Sequence, residues 1–518
     1  MLPRRTQPVV AERRWPAWAD VMLVAVLGAL QTVPFVWTGW WPLQLLCVAA
    51  LAYRVLAASV WRAALLGLVF GTAWLCAGVW WLFISMHRYG HLPAWMAALA
   101  VLALALALSA YLSLAMAAVA RWRSGHAWHD AVCFAAAWLL AELARTWLFT
   151  GFPWLASGYA QVDSPLAVLA PWVGVLGIGA VVAATAALWS RALTQPLPTA
   201  VTAIALALAA WAGPSSHSQP GATLSVSLLQ TNVPQDEKFM IEQLPQTLRS
   251  LAADVASARG QLVIAPETAV PLLPSQLEEM SPGYMAALAE RFRTAERAAL
   301  IGVALGDYDR GYSNSVLGLV GTTAASAPYR YDKQHLVPFG EFIPTGFRWF
   351  TTLLNIPLGD FVRGARNPPS FSFAGERIAP NICYEDLYGD ELALRFADEA
   401  SAPTVFANLS NIGWFGDTVA VDQHLNISRM RTLELQRPML RATNTGATAV
   451  IDHRGRVIAA LEPFTRGVLE AQVQGRNGVT PYAWWAPRAG LWPYLALGLI
   501  GCLACALRQR AAGRTAIA

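Results

Sequence analysis

The chain has 518 residues, of which 56% are hydrophobic and 13% charged, too apolar for a soluble protein of this length and too charged for a pure membrane bundle. Its formal net charge of +5 comes from scattered arginines, which gives no case for a nucleic-acid partner. The apolar residues are segregated: 17–213 are dominated by Ala, Leu, Val, Trp and Gly, 222–485 have the mixed composition of a globular domain, and 491–507 are apolar again.

A membrane-crossing helix needs about 20 mostly apolar residues. Residues 1–213 offer seven such segments, at about 18–36, 40–59, 63–86, 93–120, 131–149, 166–190 and 198–213, the last being short. An eighth lies at about 490–507, within the C-terminal segment 490–518. The first lacks a small-x-small cleavage site and is followed by further spans, so it reads as an anchor. Arginines flank alternate connections: Arg4, Arg5, Arg13 and Arg14, then Arg54 and Arg62, Arg121 and Arg123, Arg191, and Arg508, Arg510 and Arg514. The other connections carry only Arg88 and, at a span end, Arg145. The bias predicts cytoplasmic termini. The block 222–485 is then extracytoplasmic, which in a bacterium with two membranes is the periplasmic face of the inner membrane.

Within that block, strand-like runs alternate with helical ones. Strands are expected at 222–230, 261–265, 299–305, 313–320, 377–383 and 403–408, with helices at 240–258, 283–297 and 420–436. Residues 447–452 and 456–461 read as a hairpin around His453-Arg454-Gly455. This order predicts an α/β domain with helices covering sheet faces.

Cys383 is the only one of the six cysteines inside this block; Cys47, Cys76, Cys133, Cys502 and Cys505 lie in apolar segments. In an oxidising compartment it has no neighbour for an internal disulfide, so it is either a buried, inert hydrophobe or a working thiol. It ends a strand-like run and is followed by Tyr384-Glu385-Asp386. Glu267, in Ala265-Pro266-Glu267-Thr268, follows another buried run and is either a solvated loop carboxylate or a cleft base. Of 37 basic side chains only Lys238 and Lys333 are lysines. A chain that uses arginine wherever charge suffices would keep a lysine where a compact ammonium is needed. Together Glu267, Lys333 and Cys383 would supply a base, an oxyanion-stabilising cation and a nucleophile, with the Tyr384 N–H as a second oxyanion donor.

Pro266-Glu267, Lys333 with Pro338-Phe339-Gly340-Glu341, and Cys383-Tyr384-Glu385 resemble the Glu-Lys-Cys set of the nitrilase superfamily. With membrane spans on both sides, the whole chain resembles the bacterial apolipoprotein N-acyltransferases. Thr231-Asn232-Val233-Pro234-Gln235, Tyr331-Asp332-Lys333, Ser410-Asn411, Trp414-Phe415-Gly416 and Arg437-Pro438 also fit. The resemblance implies an α-helical transmembrane bundle joined to a nitrilase-like α-β-β-α sandwich. It implies Glu267 as base, Lys333 as oxyanion partner and Cys383 as acyl-carrying nucleophile, supported by Glu341, Tyr384 and Glu385. It also implies a phospholipid acyl donor, a diacylglyceryl lipoprotein acceptor, and no cofactor. No His/Cys spacing suggests a metal.

Two departures touch the cleft entrance: Phe239 stands where the family often has Trp, and Ile412-Gly413 replaces a more polar pair before Trp414. The stretch 342–358, with Trp349 and Phe350, is apolar enough to dip into the lipid interface or to pack on the domain itself. Two other functions compete: a membrane-anchored amidase or nitrilase with water as acceptor, and a transporter whose span charges would be Glu142 and Arg145.

Overall fold

The computed structural model describes residues 16–213, 215–294, 296–321, 328–344, 346 and 361–515. Among the described residues, six helices are long and apolar enough to cross a membrane: Trp18–Val36, Thr38–Ala57, Val60–Val79, Ala94–Trp122, Ala127–Thr150 and Pro165–Trp189. Pro196–Ala212 is apolar but shorter, and Trp492–Ala511 meets the test only jointly with Pro481–Ala489, from which it is bent by 88°. Small residues set the packing of the third and fourth helices. A side chain on Gly67 would come within 2.9 Å of the Leu112 carbonyl oxygen, and one on Gly71 within 2.8 Å of the Ser109 hydroxyl. Close backbone approach of this kind substitutes for the hydrophobic drive that is missing in lipid.

Two six-stranded sheets make the globular part. The first contains β1 (Gln219–Gln230), β2 (Leu262–Ile264), β3 (Ala298–Asp307), β4 (Gly311–Val320), β5 (Tyr329–Asp332) and β12 (Gly467–Asn477), ordered β12-β1-β2-β3-β4-β5. The second contains β6 (Phe371–Phe373), β7 (Glu376–Ile382), β8 (Val405–Ser410), β9 (Met439–Thr443), β10 (Ala449–Ile451) and β11 (Val457–Ala460), ordered β11-β10-β9-β8-β7-β6. Each has a parallel trio, β1-β2-β3 and β7-β8-β9, flanked by antiparallel strands.

Alternation along each strand decides what lies between the layers. Leu224, Val226 and Leu228 of β1 share one core with Ile378 and Ile382 of β7, Val405, Ala407 and Leu409 of β8, and Leu440 and Ala442 of β9. The opposite face of the first sheet packs on the helices Leu244–Ser257, Pro274–Met280 and Tyr284–Glu290 through Leu248, Leu251, Leu277 and Leu288. Ala379, Phe406, Met439 and Ile451 face outward from the second sheet onto Leu392, Phe396 and Tyr482. The expected α-β-β-α sandwich is therefore present. The hairpin around His453-Arg454-Gly455 is the β10–β11 pair. Strands β5, β6, β9 and β12 were not expected.

The sandwich is bolted to one end of the bundle by the helix Ala420–Leu435, whose side chains are almost all buried. The Gln423 amide oxygen accepts from the indoles of Trp81 (3.1 Å) and Trp154 (2.8 Å), and its nitrogen donates to Gly78 O at 3.0 Å. Asn426 donates to Phe35 O at 3.1 Å, and Glu434 accepts from the Val175 N–H at 2.6 Å. Glu142 and Arg145, inside the fifth span, serve the same boundary. Glu142 holds the Ser157 N–H and hydroxyl at 2.7 and 2.6 Å, and Arg145 donates to Leu155 O at 2.9 Å. The pair thus braces the loop after the fifth span, which bears Trp154.

Candidate active site

Three loops at strand ends bring the sequence-predicted polar residues together. Glu267 follows β2, Lys333 follows β5 and Cys383 follows β7. The Glu267 turn fits tightly because residue 302 on β3 is glycine: a Cβ there would lie 2.1 Å from Pro266 O. Thr268 (φ 51°) and Cys383 (φ 50°) both sit in the left-handed region, where a non-glycine residue is strained. Strain of this kind persists only where the surroundings hold it. For Cys383 the holders are visible. Asn408 Nδ2 donates to its carbonyl oxygen at 3.2 Å, and His424 Nε2 lies 3.3 Å from the same atom. Arg441 Nη2 donates to His424 Nδ1 at 3.1 Å, which puts the imidazole proton on Nε2, toward Cys383 O and Asp386 Oδ1 (3.0 Å).

Lys333 is fully buried between two carboxylates, with Nζ 2.9 Å from Glu341 Oε1 and 3.4 Å from Glu267 Oε1. Asn314 Nδ2, on β4, ties the same two oxygens together at 2.9 and 2.7 Å. The second oxygens are fixed by main chain: Glu267 Oε2 accepts from the Asn411 N–H at 2.8 Å, and Glu341 Oε2 from the Val337 N–H at 2.9 Å. Burial works against the Lys333 charge, but Glu341 and Glu267 outweigh it and hold the ammonium above its ordinary range. Burial, reinforced by Glu267 and opposed by Lys333, pushes the Cys383 thiol up to about 12. At neutral pH the sulfur is therefore a protonated thiol within electrostatic reach of the Glu267 carboxyl group and the Lys333 ammonium.

Glu385 has a different station. Its Oε1 accepts from the Gln334 and His335 N–H groups (2.7 and 3.2 Å), and its Oε2 from the Tyr331 hydroxyl (2.5 Å) and the Ile382 N–H (2.6 Å). Burial raises its pKa, against the pull of these donors. Four donors converge on an acceptor-only group that ties the Lys333 loop to the Cys383 turn. Glu385→Gln replaces two acceptor sites with donors that face donors. We expect it to destabilise the domain by about 2–4 kcal/mol and to depress activity, read as a lower unfolding midpoint in the purified protein.

Tyr384 reaches toward the spans. Its hydroxyl donates to Gly151 O at 3.2 Å and accepts from Tyr388 at 3.1 Å, pinning the Cys383 turn to the loop after the fifth span. Trp414, expected at the substrate entrance, is partly exposed and meets Tyr89 edge-to-face at 5.5 Å. Phe239 is exposed beside Met240 and Ile241. Trp349 and Phe350 lie outside the described residues. Sequence reasoning missed Asn314, which has no motif of its own. It also left Lys238 unused, although the scarcity that singled out Lys333 applied to it equally.

Two family models cover this architecture: the apolipoprotein N-acyltransferase N-terminal domain matches residues 27–188, and carbon-nitrogen hydrolase matches 225–482. The chain is 53% identical to the apolipoprotein N-acyltransferase of Verminephrobacter eiseniae, over 92% of this chain and 93% of that one. It is 46% identical to that of Ralstonia nicotianae, over 95% and 94%. Among solved structures, a carbon-nitrogen hydrolase from Helicobacter pylori G27 aligns at 15% identity over 53% of this chain and 94% of its own, with a TM-score of 0.36. By the extent and identity of these sequence matches, the chain belongs to the apolipoprotein N-acyltransferase family.

Proposed function

We propose that the protein N-acylates lipoproteins in two steps through a thioester on Cys383. In the first, Cys383 Sγ attacks an ester carbonyl of a phospholipid while Glu267 takes the thiol proton. Lys333 stabilises the oxyanion. The ester C–O bond then breaks and the lysophospholipid alcohol leaves with the proton held by Glu267. In the second, the N-terminal amine of a diacylglyceryl-cysteine lipoprotein attacks the thioester. Glu267 takes a proton from the nitrogen, the C–S bond breaks, and the thiolate is reprotonated. The observation that carries this reading is the meeting of Glu267 and Lys333, 3.4 Å apart, beside a half-buried Cys383 thiol on which both charges act.

The site's location supports a lipid donor. The nucleophile turn is bonded to Gly151, and the expected entrance residue Trp414 contacts Tyr89, both from connections between spans. Arginines 54, 62 and 191 sit at the opposite helix ends, where Arg54 and Arg62 pair with Asp20, and Arg191 with Asp130 at 2.6 Å. That polarity supports a periplasmic catalytic domain on a multi-pass protein of the bacterial inner membrane.

The test is intact mass spectrometry of the purified protein incubated with phosphatidylethanolamine vesicles. A mass increment of one acyl chain is expected. It should disappear when a diacylglyceryl-cysteine peptide is added, with the chain recovered on the peptide amine. Chains recovered only as free fatty acid would make the protein a hydrolase, and absence of any adduct would overturn the thioester.

A further inference from the structure

Glu267 is held from two directions. Asn411 fixes the carboxylate, as described. On the other side Lys238 Nζ donates to the Glu267 carbonyl oxygen at 3.0 Å. Lys238 is only 3% exposed, and among the described residues no carboxylate lies within ion-pair distance of its ammonium. Burying a charge on a neutral acceptor is costly, and a purely structural anchor would be served by a neutral donor. The ammonium does have two electrostatic neighbours, Glu267 and Cys383, which favour its charge while burial pushes it down to about 8. Its own loop is secured separately. Asn232 N–H donates to Asn444 O at 2.7 Å, and Gln235 Oε1 accepts from Asn411 Nδ2 at 2.8 Å. The loop therefore does not need Lys238 to stay in place, but the strained turn of Glu267, with Thr268 at φ 51°, has this one side-chain donor on its carbonyl among the described residues.

We propose that Lys238 is a positioning residue for Glu267, fixing the glutamate's main chain while Asn411 fixes its carboxylate, so that the base stays aimed at the Cys383 thiol. The proposal rests on Glu267 being the base.

The full-length protein in phosphatidylethanolamine vesicles tests it, with acyl-enzyme formation followed by intact mass and Cys383 alkylation followed with iodoacetamide. Lys238→Met is expected to lower the limiting acylation rate at least tenfold and leave the half-saturating phospholipid concentration unchanged. It should slow alkylation in the otherwise native protein much more than in a Glu267→Gln background, because the part of its effect that acts through the glutamate then has nothing left to act on. Equal losses in both backgrounds, a change confined to half-saturation, or acylation within twofold of native would each overturn it. Should Glu267→Gln itself acylate normally, the base assignment fails, a result separable from a normal Lys238→Met beside an inactive Glu267→Gln.

Discussion

Glu267→Gln is expected to slow acylation of Cys383 by about 10²–10⁴-fold, and Cys383→Ala to abolish the acyl-enzyme altogether. The reason lies in the thiol. Burial is the larger cause of its elevation to about 12, and the Glu267 charge adds to it. At pH 7 such a thiol is overwhelmingly protonated, so an attacking Cys383 does not start as a standing thiolate. Its proton has to be removed during attack, and of the carboxylates that act on it Glu267 acts most strongly. This fixes the sign of a pH experiment with iodoacetamide. In the native protein the labelling rate should be nearly flat between about pH 7 and pH 9, because an internal base carries the proton. In Glu267→Gln the proton must go to solvent, and the rate should climb about tenfold per pH unit. The substitution also removes a negative charge that raises the thiol. The midpoint of that climb therefore falls below the native value, but burial remains and keeps it above an ordinary cysteine. If native protein and variant climb with the same slope, the thiol is activated without the carboxylate and the proposed first step is wrong.

How much of this was legible beforehand depended on whether burial and polarity agreed. Where they did, as in the alternation of β1 or the apolar run of β3, the strand could be read from the sequence. Strand β9 was missed because it carries Arg441, whose charge reads as surface but is buried against Asp386. Strand β5 is four residues, Tyr-Arg-Tyr-Asp, and has Tyr331 as its buried member, too little for a period. Helix 420–435 was visible as a helix but not as an interface. Gln423, Asn426, Arg429 and Glu434 look like a solvated face and instead hold the bundle. Cys383, Glu267 and Lys333 stood out through position and rarity, and Glu341 through the motif resemblance. That one ammonium bridges both glutamates is a relation between distant loops. It rests on Asn314 and on main-chain donors that no residue type announces.

That bridge gives the second large effect. Lys333→Met is expected to abolish acylation and to destabilise the protein by about 3–5 kcal/mol, the usual cost of stripping one partner from a buried ion pair. The ammonium sits 2.9 Å from Glu341 and 3.4 Å from Glu267, and both carboxylate oxygens also share Asn314 Nδ2. Without the cation two buried carboxylates face one another and share only the Asn314 amide as a donor. Adding Glu341→Gln removes the repulsion and should recover much of the unfolding midpoint while leaving acylation absent, since the oxyanion still lacks its partner. Stability and chemistry thus separate in one pair of variants. A Lys333→Met protein that melts like the native one would mean that the ammonium does not hold the two carboxylates. An active double variant would mean that the oxyanion is stabilised elsewhere.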